Sequence, residues 1–149
     1  MAVSENFKKR LNEIIFDLDI SKTEFIAMVG VNKSVISHAT LYGIVPSLKN
    51  LIKIADRFDL SIDYLLGKTK ENYFYKADTP STFHKRLIEL TNENNIKFST
   101  ISYSMPFARN LFYEWIRRES FPNVENLYYL ADYFKVSPDY ILGRTDDRN

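Results

Sequence analysis

Residues 61–69 have the sequence SIDYLLGKT, and residues 137–145 have the closely similar sequence SPDYILGRT. In each stretch a serine precedes a short apolar run that stops at a glycine. This pattern is typical of a short helix that is capped at its start and closed by a residue with positive φ. The two stretches lie 76 positions apart. The chain is therefore predicted to contain two copies of one folding unit.

The repeat extends well beyond these stretches. At an offset of 76, residues 7–69 align without a gap on residues 83–145, and 18 of the 63 aligned positions are identical. No identity falls between Ser21 and Val45. The pattern indicates a shared frame around a central segment whose surface has diverged, as expected when that segment faces a partner. Loss of function in the second copy is the alternative.

The predicted organisation is a first domain over residues 1–69, a linker over residues 70–80 and a second, divergent domain over residues 81–149. Domains of this size fold alone when they are well packed. The linker contains the adjacent aromatic residues 73–75. We expect these rings to pack on one or both domains, because a free linker has no use for three of them.

Each copy is predicted to be all-α, because apolar residues recur at helical spacing and no alternating strand pattern is found. In the first copy, Gly30 supplies the positive φ of a tight turn, and Asn32 caps the helix that follows. The fold class is therefore predicted as two tandem five-helix domains. The helices of the first copy are expected at about residues 5–18, from a cap at Ser21 or Thr23 to 28, and at 33–40, 46–58 and 61–66.

The composition argues against several classes of function. The chain has no cysteine, and its two histidines, His38 and His84, fall at unmatched positions of the two copies. No glycine-rich phosphate loop and no nucleophile beside a base are found, so we expect no catalysis, metal or cofactor. No apolar leader and no apolar run of 18 residues is present. We therefore expect a cytoplasmic protein without a membrane partner.

The first copy resembles the lambda-repressor-like, Cro-type (XRE) helix-turn-helix family. The resemblance rests on a helix pair joined by VGVN at residues 29–32, followed by GIVPS at residues 43–47 and by the segment 51–67. The resemblance covers residues 7–69 and, in the shared frame, residues 83–145. It implies that the third helix of a copy enters the major groove of double-stranded DNA, while helix N-termini hold phosphates. The function it implies is a sequence-specific transcriptional regulator, with repression the expected direction.

Position by position, the resemblance assigns a set of DNA-binding residues in the first copy. Lys33 can contact guanine or a phosphate, and Asn32 can bond adenine or cap the helix. The family often has Gln at the position of Lys22, and Trp-Glu at residues 39–40, with that Glu pairing with the arginine of the first helix. Arg10 is therefore expected to lack this partner. The assigned residues are Lys22, Thr23, Asn32, Lys33, Ser34, Ser37 and His38.

The second copy departs further from the family pattern. Pro106 replaces the turn glycine, and the third helix is expected over residues 108–118. Its expected DNA contacts are Arg109, Asn110, Tyr113, Arg117 and Arg118, although Glu114 would repel DNA. Phe107, Tyr113 and Trp115 are expected at or near the surface, and exposed aromatic residues beside arginine are also typical of a protein interface. The sequence leaves DNA contact, self-association and a protein partner open for this copy, with Trp115 in the core as a further alternative.

The formal net charge of +1 is weak for a nucleic-acid binder, because global charge sets the long-range attraction to phosphate. Residues 1–70 carry 10 Lys and Arg against 8 Asp and Glu, whereas residues 71–149 carry 10 against 11. Positive charge on a DNA-facing surface must therefore be local. The alternative function is a protein-binding module on the same fold, such as an antirepressor or a mobile-element inhibitor of a nucleic-acid enzyme. Because the two third helices differ, an asymmetric DNA site is expected.

Overall fold

The computed structural model describes residues 2–149, which form ten helices and no strand. The chain divides into two compact units, unit 1 (Met1–Phe74) and unit 2 (Tyr75–Asn149). The division falls inside the predicted linker. The predicted all-α class is confirmed. None of the helices in the described residues is long and apolar enough to cross a lipid bilayer.

Unit 1 consists of five helices, each of which begins at a side-chain cap. Its helices are α1 (Glu5–Asp17), α2 (Lys22–Val29), α3 (Lys33–Tyr42), α4 (Leu48–Arg57) and α5 (Ile62–Leu65). The caps are Ser4, Ser21, Asn32, Ser47 and Ser61, whose side chains each accept a hydrogen bond from a backbone N–H of the first turn. A cap of this kind contributes about 1 kcal/mol to stability. Five helix starts are therefore determined locally by the sequence.

The core of unit 1 holds α3 by one face only. α1 packs against α3 and α5, and α2 packs against α4. Ile36 and Ala39 of α3 are fully buried, as are Phe7 and Leu11 of α1. Because residues on the other side of a helix cannot reach the same core, the opposite face of α3 is left exposed.

Unit 2 also contains five helices, but two of them lack side-chain caps. Its helices are α6 (Phe83–Glu93), α7 (Phe98–Ser104), α8 (Arg109–Arg118), α9 (Val124–Phe134) and α10 (Pro138–Ile141). α7 starts after Lys97 and α8 after Ala108, and neither residue makes a side-chain cap bond. Where α2 ends at Gly30 with positive φ, α7 ends at the extended residue Met105, because Pro106 follows it.

The arginine of the first helix makes equivalent contacts in the two units. Arg10 donates hydrogen bonds to the backbone oxygens of Tyr64 and Thr69, and its guanidinium lies 4.0 Å from the centre of the Tyr64 ring. Arg86 binds the matching carbonyl oxygens at the end of α10, again with its guanidinium 4.0 Å from a tyrosine ring. The family-type glutamate is absent from position 40, and Arg10 instead contacts the end of α5 and Glu13, which lies 3.6 Å away.

Trp115 belongs to the core of unit 2. Its side chain is only 4% exposed, and its ring centre lies 4.9 Å from that of Phe107 and 6.4 Å from those of Phe83 and Phe112. The expectation that Trp115 lies at or near the surface is therefore wrong, and the alternative, Trp115 in the core, is confirmed. The reason is that position 115 matches Ala39 of unit 1, which is itself fully buried. A large side chain has replaced a small one at a core position.

The aromatic residues of the predicted linker are also placed differently from the prediction. Tyr73 and Tyr75 are each 67% exposed, and only Phe74 is half-buried. The segment is held instead by polar bonds: the Asn72 side chain accepts from the Ser61 N–H and donates to the Asp59 carbonyl oxygen in unit 1. In unit 2, the Ala77 N–H donates to the Arg144 carbonyl oxygen. These bonds anchor the chain without burying the tyrosine rings.

Candidate nucleic-acid interface

The exposed face of α3 carries a polar surface without a carboxylate. Lys33, Ser34 and His38 are exposed and Ser37 is half-buried. These four residues lie on one side of the helix, because Ser34, Ser37 and His38 come one, four and five positions after Lys33. α3 contains no acidic residue over its ten positions. The face therefore offers one cation, two hydroxyl groups and an imidazole, all of which can bond phosphate or base edges.

Asn32 serves as the cap of α3. Its Oδ1 accepts a hydrogen bond from the Ser34 N–H at 2.9 Å and another from the Ser34 hydroxyl at 2.7 Å. These bonds occupy the carbonyl oxygen that a two-bond contact with adenine would need. The amide NH2 of Asn32 is the group that could still donate to a base or a phosphate.

The start of α2 has mixed charge. Lys22 is half-buried at the first position of the helix, and Thr23 is exposed at the second. Ser21 accepts from the Glu24 N–H at 3.1 Å, and its hydroxyl lies 3.2 Å from the Glu24 carboxylate. This cap fixes the direction of the helix start, where the positive end of the helix dipole favours an anion.

Leu41 and Tyr42 extend the exposed face of α3 beyond the residues that the sequence assigned. They are 53% and 61% exposed, and the Tyr42 ring centre lies 6.2 Å from that of His38. The prediction missed them because it ended the helix at Thr40. Gly43, which has φ of +72° and closes the helix, is the signal that could have located this end.

The first residues of the chain hold the end of α3 in place. The Ser4 N–H donates to the Gly43 carbonyl oxygen at 2.8 Å, and the Val45 N–H donates to that of Ala2 at 3.0 Å. A Cβ at residue 43 would come within 2.7 Å of the Ser4 oxygen. Only glycine therefore satisfies both the backbone conformation and the close approach at this position.

The matching face of unit 2 is more aromatic and carries charges of both signs. Arg109 lies over the exposed ring of Tyr103, with its guanidinium 4.4 Å from the ring centre, and Tyr113 is 45% exposed. Further along α8, Glu114 forms ion pairs with both Arg117 and Arg118. The two arginines stay largely exposed, so these pairs are weak and salt-sensitive.

The residues assigned to the second copy lie in three environments: some are exposed, Phe107 is half-buried and Trp115 is buried. Arg109 is exposed at the first position of α8 and Asn110 is exposed beside it, whereas Phe107 is half-buried against Trp115. Tyr113 is the one residue of the assigned aromatic set that is exposed. An interface on this face would therefore be built on Tyr113 and Tyr103. Tyr103 was not among the site residues predicted from the sequence.

Residues 2–149 contain no group of three or more His, Cys, Asp or Glu side chains placed to bind a metal ion. Both acidic residues named at the two faces, Glu24 and Glu114, have a side-chain partner within their own helix or cap.

Comparisons of the chain with protein-family models, with curated proteins and with solved structures found no match in any of the three.

Proposed function

We propose that the chain is a sequence-specific DNA-binding transcriptional regulator, acting as a repressor, whose two units are tandem domains of the lambda-repressor-like, Cro-type helix-turn-helix kind. In this proposal α3 of unit 1 lies in the major groove of double-stranded DNA. The observation that carries it is the exposed face of α3, which is mainly polar and free of carboxylates, while Ile36 and Ala39 on the other side are fully buried. A rigid helix with such a face fits a groove about 12 Å wide.

The side chains of unit 1 suit distinct roles on a duplex. Lys33, at the first turn of α3, is suited to guanine O6 and N7 or to a phosphate, and Ser37 and His38 lie one turn further along the groove. Leu41 is suited to apolar contact with a thymine methyl group. Lys22 and Thr23 lie at the start of α2, where a helix N-terminus favours a phosphate.

Unit 2 contributes differently in this proposal. Arg109 and Asn110 are exposed at the start of α8, and Arg117 and Arg118 lie at its end. Because Glu114 pairs with both of the latter, their contribution is contact with phosphates rather than with bases. Two such different faces on one chain predict an asymmetric DNA site.

The proposal is tested by selecting binding sites from a random duplex library with the full chain, and then titrating the selected duplex by fluorescence polarisation at about 50 and 200 mM salt. Lys33→Ala is expected to weaken specific binding by roughly 5- to 150-fold, the equivalent of one good base contact of about 1–3 kcal/mol. Lys53→Ala, which removes an exposed lysine of α4, is the matched control and is expected to bind like the wild type. No selected consensus, or equal binding by both variants, would contradict the proposal.

The second candidate function is a protein-binding module, such as an antirepressor, or a surface for self-association through unit 2. The observation that favours it is the presence of two exposed rings, Tyr103 and Tyr113, with Arg109 stacked on Tyr103, since tyrosine and arginine are enriched in protein interfaces. A purified chain that self-associates at about 500 mM salt, and loses this in Tyr113→Ala, would favour it. Phosphate-driven binding weakens steeply at that salt concentration.

A further inference from the structure

The two equivalent arginines of the chain differ in their carboxylate partners, which are Glu13 for Arg10 and Asp146 for Arg86. In unit 2, Arg86 Nη2 donates to the Asp146 carboxylate at 2.9 Å, and the side chain of Arg86 is 7% exposed. The residue of unit 1 that matches Asp146 in the repeat is Lys70, which is exposed. Arg10 therefore has no carboxylate from the segment after its fifth helix, and its side chain is 13% exposed.

An open hollow lies beside Arg10. It has a volume of about 150 Å³ and is lined by Asn6, Lys9, Arg10, Glu13 and Gly67. The lining supplies two cations and an amide against one carboxylate. The volume accommodates a carboxylate or phosphate group together with a few water molecules.

Arg10 has hydrogen-bonding capacity left over. A guanidinium carries five N–H groups, and Arg10 uses one on each terminal nitrogen for the Tyr64 and Thr69 carbonyl oxygens. Its Nε lies 3.6 Å from Glu13. Two N–H groups on the terminal nitrogens are therefore left for a further acceptor, and Arg86 uses such a group to bind Asp146.

We propose that the hollow beside Arg10 is an anion-binding site, which takes a carboxylate or phosphate group in the place that Asp146 occupies in unit 2. Guanidinium groups bind both anions in the same planar, two-bond geometry. Glu13 lies on the Nε side of Arg10, so the remaining N–H groups of the terminal nitrogens are left for the anion. The exchange of aspartate for Lys70 has left the unit 1 site to be filled from outside the chain.

The site is tested in the full chain by two-dimensional ¹H–¹⁵N NMR, with sodium acetate and inorganic phosphate each titrated against sodium chloride at constant ionic strength. The Gly67 amide and the Arg10 Nε–H group report on the hollow. Gly143 and Arg86 are the internal controls in the same spectrum, since their site is already filled. We expect a saturable shift in unit 1, half complete at a millimolar concentration, and less than a tenth of that shift in unit 2.

A pair of variants separates the filling of the site from the loss of a lysine. Lys70→Asp places a carboxylate where unit 2 has one, and is expected to abolish the saturable response. Lys70→Asn removes the same charge but leaves the hollow open, and is expected to retain the response. Tighter binding of phosphate than of acetate would indicate a phosphate-bearing ligand, and the reverse a carboxylate-bearing peptide.

The proposal is overturned if neither anion gives a saturable shift at Gly67 and Arg10, if the two units respond equally, or if Lys70→Asp responds like Lys70→Asn. The titration contains no DNA. Its outcome is therefore independent of whether α3 binds a duplex.

Discussion

Replacement of Trp115 by alanine is expected to destabilise unit 2 severely. The side chain is 4% exposed and packs on Phe107 and Phe83, and truncation of a buried tryptophan to alanine costs about 3–5 kcal/mol. A unit of this size has a total stability of about 4–11 kcal/mol, at about 0.05–0.15 kcal/mol per residue. The substitution therefore removes a large part of the free energy of unfolding of unit 2.

The assay must distinguish the two units and must not depend on tryptophan, because Trp115 is the only one in the chain. Hydrogen exchange followed by mass spectrometry meets both needs, since peptides from each unit are measured separately in increasing urea. Tyr113→Ala is the matched control. It removes a neighbouring aromatic ring that is 45% exposed, so we expect it to cost less than about 1 kcal/mol.

We expect Trp115→Ala to lower the urea midpoint of unit 2 peptides strongly and to leave unit 1 peptides unchanged. If Trp115→Ala and Tyr113→Ala cost the same, Trp115 does not stabilise the core, and the correction of its position would fail. If unit 1 lost stability to the same extent, the two units would not unfold independently. The prediction that the substitution destabilises unit 2 alone would then be refuted.

Three further tests concern local features. Gly43→Ala is expected to destabilise unit 1 more than Gly30→Ala in urea unfolding. Both glycines have positive φ, at a cost of about 1 kcal/mol for alanine, but only at residue 43 would the new Cβ come within 3 Å of a backbone atom, the Ser4 oxygen. Equal losses of stability would refute the close approach. Lys97→Ser supplies α7 with the cap that it lacks and is expected to raise the free energy of unfolding of unit 2 by about 0.5–1 kcal/mol. Slower amide hydrogen exchange in α7 is the check, and unchanged exchange would contradict the predicted effect of the cap. The pKa of Glu93 lies below its ordinary value because Arg148 donates two hydrogen bonds to its carboxylate. The stabilisation from this pair is therefore present above the unfolded-state pKa and is lost as the pH falls through the folded-state pKa. In Arg148→Ala, the Glu93 midpoint measured by carboxyl NMR titration is expected in the ordinary range, and an unmoved midpoint would contradict the pairing.

The all-α fold could be predicted because its signals are local. Asn32 and Ser61 were predicted as caps from the residues around them, and the structure confirms both caps. A cap depends on only three or four consecutive residues, so it can be recognised in a single sequence. Helix ends were less certain, and α3 continues two residues beyond the predicted Thr40 to Tyr42.

The errors concern burial, which depends on contacts between distant residues. Trp115 was expected at or near the surface, with the core as an alternative, although its match in the repeat, Ala39, occupies a helix position that faces the core. Tyr73 is exposed in a segment that the Asn72 side chain ties to the start of α5, and no sequence pattern indicates such a bond. By contrast, the pairing of Glu114 with Arg117 and Arg118 could have been predicted from their spacing of three and four residues.

The most direct test of the proposed function is ¹H–¹⁵N NMR of the full chain with a selected duplex at about 50 mM salt, compared with Lys33→Ala. The proposal predicts the largest shift changes in α3, from Lys33 through Tyr42, and at the start of α2, with smaller changes in α8. It predicts that these changes are strongly reduced in Lys33→Ala. Changes confined to α7 and α8, or no changes in a folded chain at this salt concentration, would contradict DNA binding through α3.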